Sequence, residues 1–434
     1  MDKKTYILNH FYSLYSVPAE VKEDLGKNVP DKIEWPNKLD EFLEKKKPFE
    51  LNAEEVDWLD QRIPLPFCDG GEIISIKKGK TSINFDIIAA GFMLLSGWQE
   101  VMQKNVGSRV STKDIWQYRY KCVRRPILNY YFDIFKTALE KAWDIEMPLQ
   151  KTRPAVFLSH SVQEVNSGWK SSIKNELGTF NIGNASYLLG KRLFGKDIWR
   201  TVDQIMDLEE EYDVHSTYFF MARKGKGYSD YDIEKEPYHS WIKAVQGRGS
   251  EAGILASNGS HNSAHKLGSD IKKFKYKVYA NRFQDCRYKV EQSARSLEKN
   301  KIVYDNSLGL YDEVGFRNGY CHPFLGWNFK EDRPNKFVSI PLNILDSAMA
   351  KRKYLSIDAK DVVNVFNHIA DQVVPFNGLV CLNWSNTNFS EFGNADWRRS
   401  YERILKSSIE KRFSFKTGYS LANEAKENGL VPQE

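Results

Sequence analysis

From residue 155 onward, short apolar runs alternate with stretches whose apolar positions recur at helical spacing. "AVFLS", "STYFFM", "EAGIL", "IVYDNS", "FVSIPL" and "LVCLNW" read as short buried strands. Between them, "DIWRTVDQIMDLEEEY" sets Ile198, Trp199, Val202, Ile205, Met206 and Leu208 on one helical face. "EPYHSWIKAVQ" and "ADWRRSYERILKSSIEK" read as further helices. "AKDVVNVFNHIADQV" does too, with Asp358 as its cap and Gly378 past its end. "FKYKVYANRFQDCRYKVEQSARSLEKN" reads as one long helical region. Regular alternation of strand and helix predicts a mainly parallel sheet, open or closed into a barrel.

The first 150 residues have a different rhythm. "IISIKKGKTSINFDIIAAGFMLLSGWQEVMQ" predicts two short strands turning at Gly79, then a helix over 87–102. Pro126 stands near the start of a second helix, where its missing N–H costs little. The charged, proline-containing stretch "DIEMPLQKTRP" (144–154) places a domain boundary, giving domains 1–150 and 151–434. The expected fold class is α/β: a distorted (β/α) barrel preceded by a small α/β domain.

Composition narrows the function classes. The 434 residues carry a net charge of +6, from 63 basic and 57 acidic side chains. The excess is mild, "EKKKP" and "KKGK" read as solvated faces, and no arginine-rich arm accompanies them, which argues against nucleic acid as a partner. Aromatics make up 13%, with 11 Trp and 22 Tyr, which suits a sugar-stacking cleft as well as a large buried core. Cys68, Cys122, Cys286, Cys321 and Cys381 are odd in number and lack a CxxC pair, arguing against a disulfide framework and a structural zinc. No signal-peptide pattern opens the chain, and "FDIIAAGFMLL" is too short to span a bilayer. The expectation is a cytoplasmic protein with no membrane span.

In (β/α) barrels, functional groups sit at the C-terminal ends of the strands. Ser161 and Gln163, Leu255, Arg317 and Ser385 fall at or beyond such ends. The phrases "VFLSHSVQEV", "STYFFM", "SEAGILAS", "YDNSLGLYDEVGFRNGYCHPF" and "GLVCLNWSNTNF" recur in order along residues 155 to 405. Together they resemble a bacterial polysaccharide deacetylase of the NodB-homology type. "FDIIAAGFMLLSGWQEVMQ" in turn resembles the N-terminal domain that often precedes it in a subfamily linked to surface polysaccharides. The resemblance implies metal-assisted hydrolysis of an N-acetyl group. One aspartate acts as base, a second aspartate and histidines hold a divalent metal such as zinc, an arginine orients the base, and a further histidine protonates the leaving amine.

This chain departs from that pattern at four places. Where the family reads His-Asp-Val-Asp, it has His160, Ser161, Val162 and Gln163. Where the family reads Glu-x-Gly-Leu-His, it has Glu251, Ala252, Gly253, Ile254 and Leu255. Trp-His-Asn becomes Trp384, Ser385 and Asn386, and Arg-x-His-Tyr becomes Asp285, Cys286, Arg287 and Tyr288. Neutral amides, hydroxyls and a leucine do not replace a base and anionic ligands. Arg317 in "GFRNG", Asp305, Trp384, Asn386 and Trp397 match the family's cleft. The expectation is a deacetylase-fold protein of capsule, O-antigen or exopolysaccharide biosynthesis, without the metal-dependent chemistry but with a cleft for a glycan or sugar-nucleotide intermediate. It needs no cofactor, and a polysaccharide-assembly enzyme is a further expected partner. Trp384, Trp397 and Tyr320 are expected to stack on a sugar ring, and Ser161, Gln163, Asp305, Arg317, Ser385 and Asn386 to bind its hydroxyls, with Asp305 and Arg317 paired on the cleft floor.

Two alternatives stay open. A rebuilt, metal-independent hydrolase or transferase on acylated sugars would use Ser161, His160, His322 and Arg317. A shifted metal site would use His261 and His265, whose H-x3-H spacing shares a face if helical.

Overall fold

The structure is a computed structural model that describes residues 1–45, 50–103, 106–150, 153–170, 173, 182–193 and 197–430. Lys46–Lys47–Pro48 of the basic run and Lys151–Thr152 at the expected boundary lie outside the described residues.

The fold is α/β, with a distorted (β/α) barrel as its larger part. A nine-stranded sheet is parallel at every pairing. Ala155–Val162 pairs with Thr217–Phe220, then come Glu251–Ala256, Ala280–Phe283, Tyr304–Asp305 and Val338–Ser339. On its other side Ala155–Val162 pairs with Leu379–Asn383, which pairs with Ile344–Leu345. Both edges therefore come from one stretch, 338–345, and this curls the sheet onto itself with its strands in chain order. Helices Val202–Glu211, Tyr238–Gly247, Ala264–Ile271, Val290–Lys299 and Val362–Val373 make the crossovers that parallel pairing requires.

Side chains alternate inward and outward along each strand. Phe157, Phe219 and Tyr304 fill the barrel's interior and are buried. Gly253 makes room for them, since a Cβ there would lie 2.9 Å from the Phe219 ring. At the lower end, Tyr304 Oη donates to Glu251 Oε2 at 2.6 Å, and helix Gly418–Glu427 closes the opening through Tyr419 N to Glu251 Oε1 at 2.9 Å.

The N-terminal part packs helices Lys3–Tyr12, Ile87–Leu95 and Ile127–Trp143 around a three-stranded sheet that includes the expected hairpin at Gly79. The helix expected over 87–102 is two helices, Ile87–Leu95 and Trp98–Met102. Gly97 between them takes φ 69°, a left-handed backbone that ends the first. One hydrophobic core runs through both parts of the chain. The barrel reaches it through 307–327, part of the connection between strands Tyr304–Asp305 and Val338–Ser339. Tyr6 Oη donates to Leu325 O at 2.5 Å, Asn318 Nδ2 to Leu94 O at 2.8 Å, and Cys321 N to Asn129 Oδ1 at 3.1 Å.

One element differs from its sequence reading in a way that matters. The span expected to be a single helix holds strand Ala280–Phe283, a turn, and then helix Val290–Lys299. The strand inserts between Glu251–Ala256 and Tyr304–Asp305, where ladder hydrogen bonds and burial of Ala280 and Phe283 outweigh local helix preference.

Candidate functional site

The strands Ala155–Val162 and Leu379–Asn383 end together at one mouth. Ser159 and Ser161 face into the barrel, and His160 between them faces out, as strand alternation demands. Arg282, on the strand missed in the sequence, projects into the same interior and is buried.

Its guanidinium has five N–H groups, and each meets a neutral oxygen. Nε donates to Asn306 O at 3.2 Å, and Nη2 to Ser159 Oγ at 2.5 Å and to Asn306 Oδ1. Nη1 donates to Asn383 Oδ1 and, at 3.3 Å, to Ser161 Oγ. The Phe219 ring lies 4.3 Å beneath the guanidinium carbon. Burial pulls the Arg282 pKa below its ordinary value.

A carboxylate stands on the far side of Asn383. Asp346, at the end of strand Ile344–Leu345, is fully buried and accepts from Ser347 N at 2.8 Å, Asn383 Nδ2 at 3.2 Å and Ser385 Oγ at 3.1 Å on one oxygen. Its other oxygen accepts from Ser385 N at 2.6 Å and Asn388 Nδ2 at 2.7 Å. Asn383 thus accepts from the cation and donates to the anion. Asp346 was not singled out from the sequence, and its lone pairs are spent on these donors.

Above this floor opens a cavity of about 420 Å³. Ser161, Gln163, Leu255, Ser385, Asn386 and Asn388 line it, with the turn at Asp285 and Cys286. Gln163 makes no side-chain hydrogen bond among the described residues, so its amide is available to a ligand. Asp285 and Cys286 take φ 58° and 54°, a left-handed pair without glycine, of the kind that clusters at binding sites. Burial pushes the Cys286 thiol up to about 11, so it is an inert part of the wall.

The other sequence candidates stand elsewhere. His160 Nε2 lies 2.8 Å from Glu209 Oε1, whose carboxylate also accepts from Tyr401 Oη at 2.6 Å, Ser216 Oγ at 2.7 Å and Tyr218 Oη at 2.8 Å. His160 Nδ1 lies 3.0 Å from Trp384 O. This network sits between barrel and helices, on the face of the strand away from Ser161. Trp384 is fully buried behind it, against Trp397 at 5.5 Å and Tyr401 at 5.4 Å, so it presents no ring to the mouth. Half-buried Trp397 joins that aromatic layer.

Arg317 and Asp305 do not pair. Arg317 forms a two-pronged pair with Glu100 of the N-terminal part, Nε to Oε1 at 2.8 Å and Nη2 to Oε2 at 2.6 Å. Asp305 faces Asn281 Nδ2 at 2.6 Å and Ser307 Oγ at 2.7 Å. Tyr320 and His322 are buried at the opposite end of the barrel, because Leu379 N, at the start of its strand, donates to the neighbouring Cys321 O at 2.7 Å. Tyr320 packs there on Phe132, 6.1 Å between ring centres, and is closed to a sugar.

His261 and His265 do not share a helix. His261 lies in the 3-10 turn Ser260–Asn262, while His265 is exposed in helix Ala264–Ile271, which Ser263 caps. Burial, with Arg287, Lys289 and Lys266 nearby, holds His261 down at about 4, and those cations would repel a metal.

A divalent metal does not fit the donor set at the mouth. Leu255 offers no donor atom, Gln163 a neutral amide, and the Ser161 hydroxyl donates to Asn383 Oδ1 at 2.8 Å while accepting from a guanidinium. Among the described residues, no three His, Cys, Asp or Glu side chains gather in a way that holds a metal.

Residues 3–144 match a family of unknown function, DUF7033. No curated protein matches the chain. Solved structures similar to it include a protein described as a polysaccharide deacetylase from Mycobacterium smegmatis (12% identity, 65% of this chain and 93% of that one, TM-score 0.42). A CE4 family pseudoenzyme from Bacillus anthracis is similar at 9% identity, 63% and 66% coverage and TM-score 0.34. A 4-alpha-glucanotransferase from Thermococcus litoralis is similar at 12%, 62% and 38%, and 0.37.

Proposed function

We propose that this chain binds a neutral glycan or sugar-nucleotide intermediate of surface polysaccharide assembly in the mouth cavity, and does not hydrolyse N-acetyl groups. The observation that carries the reading is Arg282. A fixed guanidinium reaches Ser161, where the resemblance puts the base, and its N–H groups are all engaged by neutral oxygens. Such a floor cannot hold a divalent cation or generate hydroxide. It can bind sugar hydroxyls through the cavity's amides and hydroxyls, with Gln163 and Asn388 as the leading contacts. In this reading residues 1–150 are the N-terminal domain of a cytoplasmic assembly protein, and a polysaccharide-assembly enzyme is its partner.

The test is a glycan array followed by calorimetry on the best ligand, beside an acetate-release assay on N-acetylated oligosaccharides with zinc or cobalt added. Saturable binding, weakened about tenfold by Gln163→Ala or Asn388→Ala, with no acetate released, is the expected result. Metal-stimulated acetate release would overturn the reading.

A further inference from the structure

A second cavity, of about 580 Å³, lies between the N-terminal part and helix Val362–Val373 of the barrel. The segment 118–125 supplies Arg119, Lys121, Arg124 and Arg125 to its wall, and Glu313 is the one acid facing them. Lys121, Arg124 and Arg125 alone set three cations against one carboxylate, an excess of two positive charges in a single concave surface.

Arg119 is engaged by the fold, its Nη2 donating to Asn52 Oδ1 at 2.9 Å, but the other charges are not all used up. Arg124 is committed to Glu313, with Nη2 2.8 Å from Oε1. Arg125 bonds the backbone oxygen of Arg62 at 3.0 Å, which leaves most of its fork unused. Lys121 is exposed and, among the described residues, has no ion pair. Its φ of 51° is a left-handed value in a non-glycine residue, so the turn presenting the ammonium is held against local strain. Across the groove, burial, Arg124 and Arg125 hold the His368 imidazole below its ordinary pKa, against the opposing pull of Asp371. At the rim, the Tyr118 ring is 46% exposed, a flat surface for a sugar or base.

We propose that this groove is a binding site for a diphosphate-bearing molecule, separate from the barrel mouth. The Arg125 fork and the Lys121 ammonium match adjacent phosphoryl groups better than a lone carboxylate, and the volume falls within the range of about 300–1,000 Å³ usual for small-molecule sites. The proposal stands whether or not the mouth binds a glycan.

The probes are inorganic pyrophosphate and uridine diphosphate, titrated into the full chain by calorimetry at constant ionic strength, with sulfate as control. Histidine resonances are followed by NMR. One-to-one binding of pyrophosphate, at least about tenfold tighter than sulfate, is expected. The His368 pKa should rise on saturation, because the bound anion offsets the arginines. Lys121→Gln with Arg125→Gln should cut affinity at least about tenfold with little change in Tm, since among the described residues neither makes an ion pair and the Arg125 bond to Arg62 O is exposed. Arg124 is left alone because Glu313 depends on it. Tighter binding of uridine diphosphate, lost in Tyr118→Ala, would assign a nucleotide-linked ligand, and equal binding a bare diphosphate. Affinity no better than sulfate, an unmoved His368, or full affinity in the double variant would overturn the proposal.

Discussion

Ser159 Oγ lies 2.5 Å from Nη2 of Arg282, deep inside a barrel whose strands carry neutral side chains toward that cation. The guanidinium is a fixed resident of the mouth, and its acceptors are arranged for five N–H groups. Arg282→Met should leave those oxygens facing an apolar chain and cost about 2–4 kcal/mol in urea denaturation. Arg282→Lys should recover only part of the loss, since an ammonium has three donors. Dialysis against a chelator should leave the wild-type Tm where it was. Release of stoichiometric zinc with a fall in Tm would show that the cation here is not the chain's own.

Glu209 ties four side chains into the wall behind the mouth. Burial pushes its pKa up, but His160 and the hydroxyls of Tyr401 and Ser216 pull harder, and the net shift is below the ordinary 4.5. A depressed carboxylate stabilises the fold above its unfolded pKa, and that contribution is lost as pH falls through the folded one. Acid unfolding of the wild type should therefore include a share that Glu209→Gln lacks. At neutral pH the variant should be about 1–3 kcal/mol less stable, because an amide cannot accept all four of the hydrogen bonds that the buried carboxylate holds. Ligand binding at the mouth should change little in whatever fraction folds. A variant with wild-type stability that loses binding would instead place His160 in the site.

Ser161 was legible from the sequence as a residue at a strand end, whereas His160, offered beside it as a catalytic candidate, faces the other way because adjacent residues of a strand alternate. Gln163, Leu255 and Ser385 were legible as strand ends too, and they line the mouth cavity. Arg282 was not. Its strand is short and sits in a lysine-rich span with helix-forming residues on both sides, and "YANRF" shows no alternation of apolar and polar positions to mark it. Asp346 was hidden because the strand before it has two residues. Arg317, Tyr320 and His322 were placed in the cleft because they follow a strand, but the direction of a long connection is set by what docks on it. Here that is the N-terminal part, and no local pattern encodes it.

Asp305 titrates in the opposite sense to Glu209. Burial raises its pKa to about 6, despite hydrogen bonds from Asn281 and Ser307 that act the other way. A raised carboxyl favours the protonated native state, so its contribution is complete below about 3.8 and is lost as pH rises through about 6. Other acids mask this in the raw profile, so the difference between wild type and Asp305→Asn is the quantity to measure. Between pH 4 and 6 the stability of the wild type should decline relative to the variant. A difference flat across that window would mean that Asp305 is ionised throughout.

The pair Arg317–Glu100 decides where this arginine acts. Its side chain is fully buried, Glu100 is nearly so, and their two prongs join the 307–327 connection to helix Trp98–Met102. Removing one member of a buried pair leaves the other charge without compensation, at about 3–5 kcal/mol. Glu100→Ala and Arg317→Ala should each lose that much, and the double variant should lose far less than their sum, because the stranded charge is gone. Opening should concentrate between the N-terminal part and the barrel, seen as faster hydrogen exchange in 307–327. Arg317 does not line the mouth cavity, so at a temperature where the variants are folded, affinity for a mouth ligand should match the wild type. A stable Arg317→Ala protein with weakened ligand binding would return the arginine to the cleft.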